Sequence, residues 1–254
     1  MSTIGNEVPS ASGNATRSTI GEATRIAVVD YGMGNRRSVQ TALEHVGAPA
    51  AVTRDHDELR AADGLVVPGV GAFPLAMRNL RELGLAALLH ERVARGVPLL
   101  GICLGMQLLF EASDELEPAE GLGLLRGQVS RLQTRGLRLP HIGWNEVSFE
   151  QRSPLIEGLY PDGCPFYHVH SFVARPSDPD DIVGRVDYGE SFATIVARGL
   201  VFGVQFHPEK SSVRGLEMLA NFARLCGEQS VPAAARSPSG LAESDGARVV
   251  RLPG

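Results

Sequence analysis

Cys103 stands in Gly101-Ile102-Cys103-Leu104-Gly105, between an apolar run and a stretch with helical character. A glycine two positions to either side lets the backbone bend and present the thiol, the cysteine counterpart of the G-x-S-x-G nucleophile turn. The start of a helix just behind it favours thiolate over thiol through its free N–H groups and dipole. A thiol nucleophile needs a base and a group that orients the base. His207 and Glu209, in Gln205-Phe206-His207-Pro208-Glu209-Lys210, fit those roles. They follow an apolar strand-like run, and an extended backbone, which Pro208 favours for the residue before it, turns residues two apart to one side. Attack on a carbonyl also needs N–H donors for the developing oxyanion. The backbone N–H of Leu104 is one candidate; the turn Pro68-Gly69-Val70-Gly71, whose glycines accept unusual dihedrals, offers another at Val70 or Gly71.

Other residues carry less. No G-x-x-x-x-G-K-[ST] or G-x-G-x-x-G phosphate loop occurs. His141, His168 and His170 invite a metal reading, but no H-E-x-x-H or C-x-x-C accompanies them, and no metal site is expected. Lys210 is the only lysine among 24 basic residues, which suggests a specific contact beside the candidate base. Trp144, in a loop-like stretch after Pro140, reads equally as core or as an exposed partner contact. Cys226 lies on an apolar helix face and reads as core, Cys164 as a loop residue.

The elements that must position these residues follow from the apolar pattern. The run 26–29 is a buried strand that leads through Asp30-Tyr31-Gly32-Met33-Gly34-Asn35 into a helix over 38–46, with Val39, Leu43 and Val46 on one face. A strand over 51–53 and a short helix over 57–62 follow. A strand over 64–67 runs into the glycine turn and then a helix, or two broken near Gly84, over 76–95. A strand over 97–102 leads to Cys103 and a helix over 104–111. This alternation predicts an α/β fold, a mostly parallel twisted sheet with helices on both faces. Ligands bind such sheets beyond the carboxyl ends of the strands, where the turns after Val29, Val67 and Ile102 lie. Past Gly121 the pattern becomes short β-like pieces at 129–132, 146–149, 165–169, 182–186, 192–198 and 200–206, predicting an additional smaller antiparallel sheet. A helix over 215–226 follows.

The 254 residues suffice for one large domain or two small ones, and 43% hydrophobic with 21% charged residues is ordinary globular composition. A net charge of −5 argues against nucleic-acid and anionic-membrane partners. Three cysteines argue against a disulfide framework and for a reducing, cytoplasmic setting. No apolar run approaches the ~20 residues of a membrane span. Residues 1–24, polar and without the pattern of a signal peptide, read as a disordered N-terminal extension, and 228–254 as a disordered C-terminal tail; 25–227 is the expected domain.

In this combination the cysteine turn, the His-x-Glu and the glycine turn resemble class I glutamine amidotransferases. More narrowly, residues 25–227 are similar to the glutaminase subunits of imidazole glycerol phosphate synthases. The marks are Asp30 to Asn35, Pro68-Gly69-Val70-Gly71-Ala72-Phe73, Gly101 to Gln107, Pro140-His141-Ile142-Gly143-Trp144-Asn145 and Gln205 to Ser211. Met106-Gln107 is particular to this group, since anthranilate and guanylate synthases usually carry His or Tyr at the first position.

The resemblance implies a glutaminase with no cofactor. Cys103 attacks the side-chain carboxamide of glutamine, His207 shuttles protons and Glu209 positions His207. Leu104 N–H and an N–H from Val70-Gly71 hold the oxyanion, and Gln107, Glu115, Ser171 and Phe172 line the glutamine pocket. It also implies a heterodimer with a (β/α)8 cyclase that receives the ammonia in histidine biosynthesis. Asn35, Trp144, Tyr167 and Lys210 are candidates for the interface around the ammonia passage. Phe172 departs from the family's usual Tyr and His168 from a usual apolar residue. Three other readings compete: another amidotransferase of the class, a flavodoxin-like protein with Cys103 as redox sensor, and a cysteine α/β-hydrolase. Met106-Gln107 and Lys210-Ser211 argue against the first. The second leaves His207-x-Glu209 without purpose, and the third normally has its carboxylate before the His.

Overall fold

The computed structural model describes residues 24–159 and 163–230. Residues 1–23 and 231–254, most of the two expected extensions, lie outside the described residues. Within them, Thr24 is buried and the last helix runs to Ser230, three residues past the expected boundary.

Thirteen strands and six helices make up the described chain. The strands are β1 (Ile26–Val29), β2 (Ala50–Thr53), β3 (Gly64–Val67), β4 (Leu99–Ile102), β5 (Ala112–Ser113), β6 (Ala119–Glu120), β7 (Gly127–Arg131), β8 (His141–Phe149), β9 (Cys164–His170), β10 (Phe172–Pro176), β11 (Ile182–Tyr188), β12 (Glu190–Arg198) and β13 (Val201–Val204). The helices are α1 (Arg36–His45), α2 (His56–Ala61), α3 (Phe73–Glu82), α4 (Leu85–Ala94), α5 (Leu104–Leu108) and α6 (Ser212–Ser230). The larger sheet has nine strands in the order β2-β1-β3-β4-β13-β12-β11-β8-β9. Its first five are parallel and the rest antiparallel. The parallel half is near-continuously apolar because both faces are covered. Ile26 and Val28 pack on one side with α1 and α6, where Val39, Leu43, Leu219 and Phe222 lie. Ala27 and Val29 pack on the other with α3 and α4, through Met77, Leu80 and Leu88. Successive side chains of a strand point to opposite faces, so one short run feeds both cores.

The predicted βα units are present, and the helical stretch over 76–95 divides at Gly84, which starts α4 from a φ of 68° that glycine adopts without cost. The second half differs from expectation in its assembly. Most of its antiparallel strands extend the large sheet, making it mixed, while the smaller sheet has the order β10-β7-β5-β6 and includes one parallel pair, β5 with β7. Strands β5 and β6, two residues each, are too short to show an apolar pattern. The stretch 141–145, read as loop-like, is the first half of β8, paired with β9 from His141 to Val147. Cys164 begins β9 and is buried rather than in a loop, and burial pushes its thiol up to about 11. No helix of the described residues is long and apolar enough to cross a membrane.

Candidate active site

The carboxyl ends of β3, β4 and β13 lie side by side, with Val67 opposite Gly101 and Val204 opposite Ile102. Each leads into one of the three chemical segments: the glycine turn, Cys103 and the His-x-Glu. Cys103 has φ 54° and ψ −109°, a strained conformation for a residue with a Cβ. The flanking glycines have a second purpose besides bending. A Cβ on Gly101 would stand 2.6 Å from the Gly105 carbonyl oxygen, and one on Gly105 would overlap the Val67 carbonyl oxygen. The cysteine turn therefore closes only if both positions lack a side chain.

His207 and Glu209 meet, but not through an extended backbone. Pro208–Lys210 forms a 3-10 turn, closed by N–H bonds from Lys210 to the His207 carbonyl and from Ser211 to the Pro208 carbonyl. The turn swings the carboxylate back onto the ring, and His207 Nδ1–H donates to Glu209 Oε1 at 2.8 Å, with the side chains 1% and 0% exposed. That bond fixes the tautomer and leaves Nε2 as the working nitrogen. Nε2 is buried and meets no hydrogen-bond partner at normal geometry. Cys103 is nonetheless near enough to act on the ring. Burial alone would depress the imidazolium, but the interaction with the Cys103 sulfur and the bond to Glu209 outweigh it and raise the pKa to about 9.

A pocket of about 270 Å³ opens in front of the sulfur. Cys103, Leu104, Val70 and Gly71 line it together with all four expected substrate residues, Gln107, Glu115, Ser171 and Phe172. A larger hollow of about 770 Å³ along 149–159 contains neither cysteine nor histidine. Glu115 Oε2 accepts the N–H of Phe73 at 2.8 Å, and burial raises its pKa against the pull of that bond. Phe172 contributes its backbone carbonyl, which accepts from Gln107 Nε2 at 2.9 Å and from His170 Nδ1 at 3.1 Å. The Leu104 N–H, an expected oxyanion donor, instead points to the Gly69 carbonyl at 3.4 Å. With that carbonyl in the way, the donor is not delivered to the pocket in this conformation.

Of the four expected interface residues, none lines the pocket, and two touch the catalytic pair directly. Asn35 Nδ2 donates to Glu209 Oε1 at 3.2 Å. The Tyr167 carbonyl accepts the His207 N–H at 2.9 Å, and the Tyr167 ring meets that of Trp144 edge-on, with centroids 6.2 Å apart. Trp144 is 54% exposed, so of its two readings the surface one holds; Lys210 is exposed too. Tyr31 has a place that the sequence reading missed: its buried hydroxyl donates to the Pro68 carbonyl at 2.6 Å and pins the glycine turn. Burial and the neighbouring Cys103 charge hold that phenol well above its usual range.

The histidines are hydrogen-bonded to one another and to the backbone. His141 Nδ1 meets His170 Nε2 at 3.1 Å, while His168 bonds the Phe166 carbonyl and Thr194 Oγ1 at 3.0 and 2.9 Å. Burial keeps them neutral, pushing His141 down to about 4, His168 to about 3 and His170 well below its ordinary value. Among the described residues no group of three or more His, Cys, Asp or Glu is placed to hold a metal ion.

An enclosed cysteine, a histidine of raised basicity, an acid behind it and a small pocket that mixes polar and apolar walls can carry out acyl transfer through a thioester. The chain belongs to the class-I glutamine amidotransferase family, whose family model matches residues 27–226. Within that family it belongs with proteins named imidazole glycerol phosphate synthase subunit HisH. The one from Moorella thermoacetica is 52% identical over 200 residues, covering 79% of this chain and 94% of the relative. The one from Aquifex aeolicus is 48% identical over 201 residues, covering 79% and 96%. Solved structures share the fold. A glutamine amidotransferase aligns with TM-score 0.64 at 24% identity over 80% of this chain and 98% of that one. PurLQS from Thermotoga maritima aligns with TM-score 0.62 at 22% identity over 78% and 97%.

Proposed function

We propose that this chain is the glutaminase subunit of an imidazole glycerol phosphate synthase, acting in the cytoplasm as a heterodimer with a (β/α)8 cyclase. The observation that carries the reading is the His207–Glu209 pair, enclosed beside Cys103 at the back of a pocket lined by the residues expected to bind glutamine. The Cys103 thiolate attacks the side-chain carboxamide carbon of glutamine; a C–S bond forms and the carbonyl electron pair moves to oxygen. The oxyanion collapses, the C–N bond breaks, and His207 Nε2–H gives its proton to the departing nitrogen, releasing ammonia. Water, deprotonated by His207, then attacks the γ-glutamyl thioester, and glutamate leaves as the thiolate is restored. Glu209 holds the ring and steadies its positive form.

Leu104 N–H joins the oxyanion site once the Gly69 carbonyl swings aside, with the second donor from Val70-Gly71. Asn35 and Tyr167, which touch the catalytic pair, and the exposed Trp144 and Lys210 form the face over which ammonia passes to a docked cyclase.

Cys103→Ser in the full chain, assayed for glutamate release with the cyclase and its ribonucleotide present, should abolish hydrolysis without changing the fold. Hydrolysis that survives would remove the assigned nucleophile. The Gly69 carbonyl is expected to swing aside when the cyclase docks, and full activity without the cyclase would contradict that coupling.

A further inference from the structure

We infer that Gln205 is a further catalytic residue, an amide donor that holds the Cys103 sulfur as thiolate; the inference rests on Cys103 being the nucleophile. Its side chain is fully buried, and its Nε2 lies 3.7 Å from Cys103 Sγ, within reach of a hydrogen bond to sulfur. The register of the sheet places it there. Val204 stands opposite Ile102, and its carbonyl accepts the Cys103 N–H at 2.7 Å, so the next residue of each chain faces the other. The Gln205 N–H is tied to the Thr194 carbonyl at 2.8 Å, which leaves the residue little freedom.

The orientation of the amide is forced by its neighbours. The Phe172 carbonyl can only accept, so Gln107 must turn its NH2 group towards it. The second hydrogen of that NH2 points at Gln205, 3.0 Å away, which therefore offers its oxygen. Gln205 is left with its NH2 group on the sulfur side. A flipped Gln205 would set two donors face to face. The chain of bonds thus runs from a fixed carbonyl, through two amides, to the nucleophile, and delivers an N–H there. An N–H donor favours the anionic form of its acceptor. On the opposing side the Val169 carbonyl lies 3.9 Å from the sulfur and favours the thiol. The titratable groups around the sulfur are His207 with Glu209 behind it, Tyr31, and His170 and Glu115 at the pocket. None of these reproduces a neutral donor.

The test is the pH dependence of Cys103 alkylation by iodoacetamide in the full-length chain, read by mass spectrometry of the Cys103 peptide. In that reaction the thiolate sulfur bonds the CH2 carbon and iodide leaves, so the rate follows the thiolate fraction. Gln205→Met removes the donor at similar volume, and Gln205→Leu removes it with a smaller apolar side chain; neither adds a charge beside the sulfur. Both should move the alkylation midpoint up by about one to two pH units, the size of a hydrogen bond to a charged acceptor. Glutamine hydrolysis near pH 7 should fall roughly ten- to a hundred-fold on the same basis. If Gln205→Met does not fold, Gln205→Leu decides. An unchanged midpoint in a folded variant overturns the role of Gln205. If Cys103→Ser no longer hydrolyses glutamine, the nucleophile stands and only the donor is lost. If Cys103→Ser still hydrolyses glutamine, it is the triad reading that falls.

Discussion

Glu209→Gln separates holding the imidazole from charging it. The amide oxygen can still accept from His207 Nδ1, so the tautomer survives while the negative charge is lost. In the intact site the imidazolium is lifted from 6.5 to about 9 against burial. At about 1.4 kcal/mol per unit that rise amounts to about 3 kcal/mol. The carboxylate shares it with Cys103, so its removal should cost on the order of 1–2 kcal/mol, roughly a five- to thirty-fold loss in kcat for glutamine hydrolysis. The same charge bears on folding. Because the ring's pKa is raised in the folded state, the stabilisation is complete below pH 6.5 and drains away as pH rises through about 9. Urea unfolding of both proteins should show a gap of about 1–2 kcal/mol at pH 6 that has largely closed by pH 10. A gap of equal size at both pH values, or no gap with kcat intact, would refute the charge argument.

The buried histidines allow two further tests. His168→Phe strands the fully buried Thr194 hydroxyl and should cost about 1–3 kcal/mol, most of which returns when Thr194→Val is added; an equal cost with and without Thr194→Val would break the pairing argument. His141, His168 and His170 are held neutral by burial, so their depressed pKa values contribute stability above pH 6.5 that is lost as pH falls towards 4. Stability should drop by up to about 1.4 kcal/mol per pH unit for each of them between pH 6.5 and 4.5, and a flat profile there would exclude buried neutral rings.

What was legible in the residues was short-range. The glycines around Cys103, and the apolar runs that feed both faces of the parallel half, report on contacts within a few positions, and they led to the right strands and the right turn. The His207–Glu209 pairing was legible as a pair but not as a shape, since Pro208 fits the start of a 3-10 turn as well as an extended chain. Strands β5 and β6, two residues each, are paired only because other strands lie beside them. Tyr31 and Gln205 looked like parts of a motif with no assigned work. Their roles depend on which strand lies next to which: the Pro68 carbonyl comes to Tyr31 because β1 pairs with β3, and the sulfur comes to Gln205 because β4 pairs with β13.

The two departures from the family pattern are resolved by the same distinction between backbone and side chain. A hydroxyl lost at Phe172 need not disturb the pocket wall, because it is the carbonyl of that residue that anchors Gln107 and His170, and any amino acid supplies a carbonyl. A histidine at 168 is tolerated in a fully buried place because both its nitrogens are used, one on its own strand at Phe166 and one across the sheet at Thr194. The Phe166 carbonyl is present whatever stands at 168, so the one partner a histidine there additionally needs is the Thr194 hydroxyl. A buried polar group costs stability only when it lacks a partner. It follows that position 168 should tolerate histidine where position 194 offers a hydroxyl and revert to an apolar residue where it does not.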